Sequence, residues 1–167
     1  MKSYLSMPGN IDLEELVDFL VRAKRQTYAG DGKEITPQRP GFKELEYREN
    51  EWEYRDSYTG FYVAPGQEIV RFQRDPIWVM AYSGGMHPEH HGNKNFAQQT
   101  FAFLKKALLQ VQKERPFRGP KRLFEGDYTY IDTSEGDVKD FRGTERIFYK
   151  GEEVFSQDYM GGLVIQK

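Results

Sequence analysis

The amino-acid sequence predicts an α+β fold in which two helices pack on an antiparallel sheet. Two segments carry apolar residues at helical spacing, the segments that follow each of them alternate with a period of two, and the links between those segments are short. Short links favour antiparallel pairing, because a parallel crossover needs a dozen or more residues. We therefore expect an antiparallel sheet or a partly closed barrel, with both helices against it.

The first predicted helix covers residues 13–26, where apolar residues recur three and four positions apart and Asp12 is placed to cap the first turn. The second predicted helix runs from about Phe96 to Lys113, with Asn95 as its cap. It ends before Pro116, because the residue that precedes a proline disfavours the helical conformation. Each helix thus precedes one set of strands.

The predicted strands are the segments in which polar and apolar residues alternate. Turn-prone residues separate them, among them Gly60 and Pro65-Gly66 in the first half and Gly126, Gly136 and Gly143 in the second. In chain order, the predicted strands lie in 52–58, 69–73, 77–82, 122–125, 127–133, 144–149 and 153–159.

The two halves of the chain resemble each other. Shifted by 77 positions, residues 66–86 fall on 143–163 and align identical residues at Gly66, Glu68, Tyr82, Gly84 and Gly85. Shifts of 76 and 84 align the preceding strands and the helices in the same order. Self-similarity in this order predicts an internal duplication. We expect a single domain over 1–167, built from two α-β-β-β-β halves of about 11–86 and 95–163 that are related by a pseudo-twofold axis.

Composition excludes several classes of function. The chain has no cysteine, which excludes disulfides, a thiolate nucleophile and cysteine-based zinc sites. A net charge of −2 argues against a dedicated nucleic-acid binder. The longest apolar run, 77–82, is far shorter than the roughly 20 residues of a membrane helix, and the N-terminus has no signal-peptide core. We expect a cytoplasmic protein that binds no nucleic acid, membrane or cofactor.

Seven short strings, from three regions of the sequence, carry a resemblance to a known family. They are F-L-V-R-A-K with T-Y-A-G-D-G, W-E-Y-R-D-S-Y with P-I-W-V-M-A-Y-S-G, and Y-T-Y-I-D with F-R-G-T-E-R-I-F-Y-K-G-E-E-V and Y-M-G-G-L. Together they resemble a bacterial and archaeal domain family of unknown function, whose members occur alone or C-terminal to helix-turn-helix regulators. The resemblance implies a ligand-sensing or regulatory module and transfers no catalytic residue.

The first candidate site contains two aspartates. Period two places Asp56 on one strand face with Tyr58 and other aromatics, and Arg55 on the opposite face. Asp132 takes the matching place behind Tyr130. A carboxylate among aromatics must be paired, hydrogen-bonded or open to water. The two acids are predicted either to line a central pocket or to cap the turns that follow them.

The second candidate is an aromatic set on the last strand of each half, Trp78, Tyr82, Phe155 and Tyr159. These side chains are predicted to form either core packing or a stacking wall for a planar ligand. Buried tyrosine hydroxyls need partners, so Tyr82 and Tyr159 are expected to donate hydrogen bonds or to face a wet cavity.

Three further segments have two interpretations each. His87, His90 and His91 suit a transition metal, or they lie in a solvated loop. Residues 27–41 form a connection that either covers a site or is a mobile surface loop. The basic residues Arg115, Arg118, Lys121 and Arg122 indicate a solvated connection or, less well, a phosphate site.

The leading hypothesis is a small-molecule-binding or sensing module. Its predicted ligand-binding residues are Arg55, Asp56, Tyr58, Trp78, Tyr82, Tyr130 and Asp132. One alternative is an enzyme that uses Asp56 or Asp132 as acid or base. Another is a structural or homo-oligomerising domain in which the aromatics are core.

Overall fold

The structure, a computed structural model, describes residues 11–165. The other residues of the predicted domain over 1–167 lie outside that range. In the described range there are two α-helices, a short 3-10 helix at Pro88–His90, and nine strands in one sheet. The helices are α1 (Leu13–Gln26) and α2 (Lys94–Leu108), and the strands are β1 (Glu34–Ile35), β2 (Lys43–Glu49), β3 (Trp52–Tyr58), β4 (Gly66–Phe72), β5 (Asp75–Met86), β6 (Arg122–Glu125), β7 (Tyr128–Asp137), β8 (Asp140–Tyr149) and β9 (Glu152–Leu163).

The strand order is β1-β2-β3-β4-β5-β9-β8-β7-β6, and every neighbouring pair is antiparallel. The α+β prediction is confirmed. The sheet is open, with β1 and β6 at its two edges, so the alternative of a partly closed barrel is wrong. At its centre β5 pairs with β9, and Tyr82 lies directly opposite Tyr159.

Helix α1 has the predicted bounds, and the Asp12 carboxylate accepts a hydrogen bond from the N–H of Glu14 at 3.1 Å. Helix α2 begins two positions before the predicted start, because Asn93 and not Asn95 caps it and accepts from the N–H of Phe96. It also ends earlier than predicted, since the chain tightens into a turn in which the N–H of Val111 donates to the carbonyl of Leu108. That turn buries Val111.

Both helices pack on the same face of the sheet. Leu16 and Leu20 of α1 join a cluster with Trp78, whereas Leu104 of α2 joins a second cluster with Phe155. Each fully buried leucine side chain stabilises the fold by about 2 kcal/mol. The opposite face of the central strands is open to solvent, so the molecule is a two-layer sandwich of helices and sheet.

Two predicted turns are wrong, because Gly136 and Gly143 lie inside β7 and β8. A Cβ at Gly143 would lie 2.4 Å from the hydroxyl oxygen of Tyr159, and one at Gly66 would lie 2.3 Å from that of Tyr82. Glycine at positions 66 and 143 therefore makes room for a tyrosine ring on the neighbouring strand and does not mark a turn there.

No helix among residues 11–165 is both long enough and apolar enough to cross a membrane.

Candidate functional site

A cavity of about 650 Å³ lies between α2, the connection that follows α1, and the adjoining ends of β3 and β5. This volume is within the range of small-molecule sites, which is roughly 300 to 1,000 Å³. The floor of the cavity is polar and is formed by Asp56, Tyr82, Arg118 and Gln157.

The walls of the cavity are largely aromatic. The Tyr28 and Tyr58 rings meet edge to face with centroids 5.9 Å apart, and Phe61 meets Phe101 in the same way at 5.5 Å. Phe155 of β9 also lines the cavity and contacts Phe101 edge to face. Walls of this kind suit the apolar body of a small ligand.

Two connections complete the walls. The connection after α1 is tied to α2 by an ion pair between Asp31 and Lys105. The connection between β3 and β4 is held against β5, where the N–H of Met86 donates to the carbonyl of Tyr62 at 2.7 Å. A Cβ at Gly85 would lie 1.9 Å from that same carbonyl oxygen, so glycine at position 85 permits the approach.

The predicted long connection over 27–41 has two parts. Tyr28, Ala29, Asp31 and Glu34 line the cavity, and Glu34–Ile35 also forms the edge strand β1. The first part therefore covers the cavity, and the second part both lines it and extends the sheet.

Asp56 is the acid of the cavity floor. Its side chain accepts a hydrogen bond from the Tyr82 hydroxyl at 2.6 Å, and the residue is 4 % exposed. No cationic side chain among residues 11–165 lies within ion-pair distance of it. Burial, and next the negative charge of Glu68, raise the pKa of Asp56 to about 7, although Tyr82 and the cations Arg118 and Lys24 oppose the rise.

A buried ionic network lies beneath the floor. Arg118 donates from Nε and Nη2 to Glu145 at 2.9 and 2.6 Å, and its Nη1 lies 3.6 Å from Glu68. The Tyr130 hydroxyl and the Gln157 amide also donate to Glu145, at 2.7 and 2.9 Å. Glu145 is fully buried, and it has the several hydrogen-bond donors that a buried carboxylate requires.

Lys24 of α1 completes this network by pairing with Glu68. Burial lowers the pKa of Lys24, and the nearby Glu68 opposes that effect. The sequence patterns did not predict Lys24, Glu68 or Glu145 as site residues. The available signal was the identity of Glu68 and Glu145 at matching positions of the two halves, each on a strand that is otherwise apolar on that face.

Of the seven predicted ligand-binding residues, three line the cavity and four do not. Asp56, Tyr58 and Tyr82 line the cavity. Arg55 lies on the opposite sheet face, where it pairs with Glu44 and Glu46 of β2.

Trp78, Tyr130 and Asp132 lie outside the lining of the cavity. Trp78 is fully buried in the core, and its indole N–H donates to the Val138 carbonyl at 3.1 Å. The Tyr130 hydroxyl belongs to the ionic network under the floor. These positions make Trp78 and Tyr130 packing or supporting residues of the cavity rather than contacts for a ligand in it.

Asp132 has its own partners on the other side of the sheet centre. The Tyr159 hydroxyl donates to it at 2.8 Å, and Arg115 Nη2 lies 2.7 Å from its Oδ2. The Arg115 guanidinium also donates to the Ser134 hydroxyl. Burial raises the pKa of Asp132 to about 6, with Tyr159 and Arg115 opposing the rise.

The predicted solvated basic connection is wrong for two of its four residues. Arg118 is buried against Glu145, and Arg115 is half-buried against Asp132, whereas Lys121 is exposed as expected. Burial of a charge depends on a partner elsewhere in the chain, and a local run of basic residues does not reveal that partner.

The three histidines do not converge on one point. His91 stacks on Tyr62 and its Nε2 contacts the carbonyl of Met86 at 2.9 Å, whereas His87 lies near Glu153. In the part of the chain that the structure describes, no group of three or more His, Asp or Glu side chains is arranged to hold a metal ion.

Comparison with protein families gives one match, to a domain of unknown function (DUF5680), over residues 56–164. No curated protein and no solved structure matches the chain. The matched range is more than half of the 167 residues and includes Asp56, Tyr82, Arg118 and Gln157 of the cavity floor. The chain therefore belongs to the DUF5680 family, whose domains have no known function.

Proposed function

We propose that this domain binds a small molecule in the cavity between α2 and the sheet, and that it acts as a sensing module. The observation that carries the proposal is Asp56, a buried carboxyl group at the floor of an aromatic cavity, which no cationic side chain from residues 11–165 approaches within ion-pair distance. Burial of such a group lowers the stability of the fold. Residues that lower stability and have no compensating structural role are characteristic of functional sites.

The composition of the lining also favours a ligand site. Aromatic walls and a few convergent polar groups are the usual features of such sites, and perturbed pKa values cluster in them. A purely structural domain would gain more from filling this space, because well-packed interiors are more stable than open ones.

We also propose that the chain is an internal duplication of an α-β-β-β-β unit, with the two halves meeting at the β5–β9 pair. Three correspondences support it. Tyr82 and Tyr159 lie opposite each other, each bonded to an aspartate. Register shifts fall after Val70 and after Ile147, which are 77 positions apart. Except for β1, the strand order is symmetric about β5–β9.

Under this proposal the two halves would differ beside their aspartates, and within residues 11–165 the cavity of about 650 Å³ is lined by Asp56 and not by Asp132. In the second half, the Arg115 guanidinium pairs with Asp132, and the Phe117 and Phe141 rings stack with centroids 4.0 Å apart near the Tyr159 ring. In the first half the β3–β4 connection over 59–65 is longer than the β7–β8 connection over 138–139, and its residues Phe61, Tyr62 and Ala64 line the cavity. One half would thus be the packed scaffold and the other the binding half.

The family resemblance supports a sensing role. Members that follow a helix-turn-helix domain fit a module that converts ligand binding into regulation, which is an argument by analogy. A second candidate function is acid–base catalysis by Asp56, favoured by a pKa of about 7 in a cavity. The pKa of Asp132 is also raised, to about 6, but Asp132 pairs with Arg115 and lies outside the cavity lining.

A cavity-blocking variant tests the binding proposal. Ala102 of α2 lines the cavity, whereas Gln99 of the same helix is exposed and is not among the lining residues. We expect a fragment screen by thermal shift and ligand-observed NMR to find compounds that bind the wild type and Gln99→Trp but not Ala102→Trp. If no fragment binds the wild type, or if bound fragments also bind Ala102→Trp, the cavity is not a ligand site.

A further inference from the structure

The two tyrosine–aspartate pairs occupy matching positions in the sheet. Tyr82 and Tyr159 face each other across β5 and β9, and each donates to an aspartate on the next strand but one, at 2.6 Å for Asp56 and 2.8 Å for Asp132. In both cases the strand between carries a buried glutamate directly opposite the aspartate. The two acids therefore have the same local surroundings on the sheet.

One difference between the two sites is the cation beside the aspartate. Asp132 has the Arg115 guanidinium 2.7 Å from its Oδ2, and the same guanidinium is steadied by the Ser134 hydroxyl. Within residues 11–165, Asp56 has no such partner, and the cavity lies where one would be. The pair of Asp132 and Arg115 thus shows that a tyrosine and an aspartate in this arrangement can bind a guanidinium group.

The charges beneath the cavity lead to the same conclusion. Asp56, Glu68 and Glu145 are three acids, and the cations that face them are Lys24 and Arg118. Both cations are already committed, Lys24 to Glu68 and Arg118 to Glu145. With all five groups ionised, one negative charge is left without compensation, and Asp56 is the acid that reaches the cavity.

From these observations we infer that the ligand is an amphipathic cation, an aromatic or apolar molecule with a guanidinium or primary ammonium group that binds beside Asp56 as Arg115 binds beside Asp132. The inference rests on the proposed function, since it names the class of ligand for the same cavity. The charge-assisted hydrogen bond to Asp56 would orient the ligand, and the aromatic rings of Tyr58, Phe101 and Phe155 would hold its apolar body.

An anionic ligand fits the cavity less well. Arg118 is the buried cation of the floor, and its guanidinium donates to Glu145 and lies close to Glu68. An anion would have to replace these partners and would add a second uncompensated negative charge near Asp56. Three lysines at the wall are each paired with an acid, Lys43 with Glu34, Lys105 with Asp31 and Lys106 with Glu125, and these pairs are more exposed and screened by water.

Four probes that share one apolar body test the charge preference. They are 3-phenylpropylguanidine and 3-phenylpropylamine, the neutral 3-phenyl-1-propanol, and the anionic 3-phenylpropionate. Their dissociation constants are measured at pH 8 by protein-observed NMR, from shifts of cavity amides, with the wild type, Asp56→Asn and Asp158→Asn. Asp158 is an exposed acid on the opposite sheet face, so its variant carries the same change of charge outside the cavity.

We expect the two cations to bind the wild type about tenfold more tightly than the alcohol, which corresponds to about 1.4 kcal/mol. Asp56→Asn should reduce this preference to less than about twofold, and Asp158→Asn should preserve it. If the alcohol or the carboxylate binds as tightly as the cations, or if the preference survives in Asp56→Asn, the cation inference is overturned while the cavity remains a ligand site. If none of the four probes shifts a cavity amide, the inference is overturned, and the fragment screen with Ala102→Trp decides separately whether the cavity binds another class of ligand.

Discussion

Replacing Asp56 with asparagine should stabilise the protein, and more at alkaline than at acidic pH. The asparagine side chain keeps the size of the acid and an oxygen that accepts from the Tyr82 hydroxyl. It removes the negative charge that burial disfavours in the wild type. A substitution in a buried polar site is ordinarily destabilising, so a gain would be a specific signature of a carboxylate without its counter-ion.

The size of the expected gain in stability follows from the pKa of Asp56, which is about 7 in the folded protein and has an ordinary value of 3.8. A pKa difference of one corresponds to about 1.4 kcal/mol. Since the folded state holds the proton more tightly, the stability contributed by the protonated acid is present below pH 4 and is lost as pH rises to 7. The loss reaches about 4 kcal/mol in full, and on the order of 2 to 3 kcal/mol of it falls between pH 5 and pH 8.

The assay compares thermal unfolding of the wild type, Asp56→Asn and Asp158→Asn at pH 5 and pH 8. For a domain of this size, the advantage of Asp56→Asn should grow by roughly 4 to 10 °C in Tm between the two pH values. The exposed Asp158→Asn variant should stay within about 0.5 kcal/mol of the wild type at both. An advantage of Asp56→Asn that does not depend on pH, or a loss of stability at pH 8, would refute the reasoning.

Three further predictions concern two residues of β8 and one core residue of α1. Glu145→Gln should cost about 3 to 5 kcal/mol in urea unfolding, because Arg118 would lose its main buried partner; a cost under 1 kcal/mol would contradict the ionic network. Gly143→Ala should cost about 1 to 3 kcal/mol, because the new Cβ would lie 2.4 Å from the Tyr159 hydroxyl oxygen; wild-type stability would show that Tyr159 does not pack on this glycine. Leu20→Ala, at a fully buried position of α1, should lower unfolding free energy by about 2 to 5 kcal/mol, and a negligible change in thermal unfolding would contradict the packing of α1 on the sheet.

Local signals were sufficient for most of the secondary structure. Helix α1 begins and ends as predicted, because its apolar spacing and its cap, Asp12, are both properties of residues that are close in sequence. The edge strand Glu34–Ile35 was not predicted, since two residues are too few to show a period. The strand predicted over 77–82 is longer in the structure, where β5 continues through Gly84 and Gly85 to Met86 because β9 and the Tyr62 carbonyl lie against it.

Whether the sheet closes could not be predicted from the sequence. Closure depends on whether the first and last strands meet, and this is set by the accumulated twist and register of all the strands. No local pattern records that sum, and the structure leaves β1 and β6 apart at the two edges.

The candidate site was predictable where it followed the period of a strand. Period two placed Asp56 and Tyr58 together, and the matching of the halves pointed to Tyr82. Arg118 could not be assigned, because a guanidinium in a basic, Gly/Pro-rich connection resembles a solvated one until its partner is known. That partner, Glu145, lies 27 positions later and is reached only through the pairing of β7, β8 and β9.

The central claim is that Asp56 is a buried acid at the floor of a ligand cavity and that the ligand supplies its counter-ion. The most direct test is the pKa of the Asp56 carboxyl group, measured by ¹³C NMR with and without saturating 3-phenylpropylamine. We predict a pKa of about 7 in the free protein, falling when the amine binds because the ammonium group stabilises the carboxylate. A pKa near the ordinary 3.8 in the free protein, or one that is unchanged by the bound amine, would contradict the account.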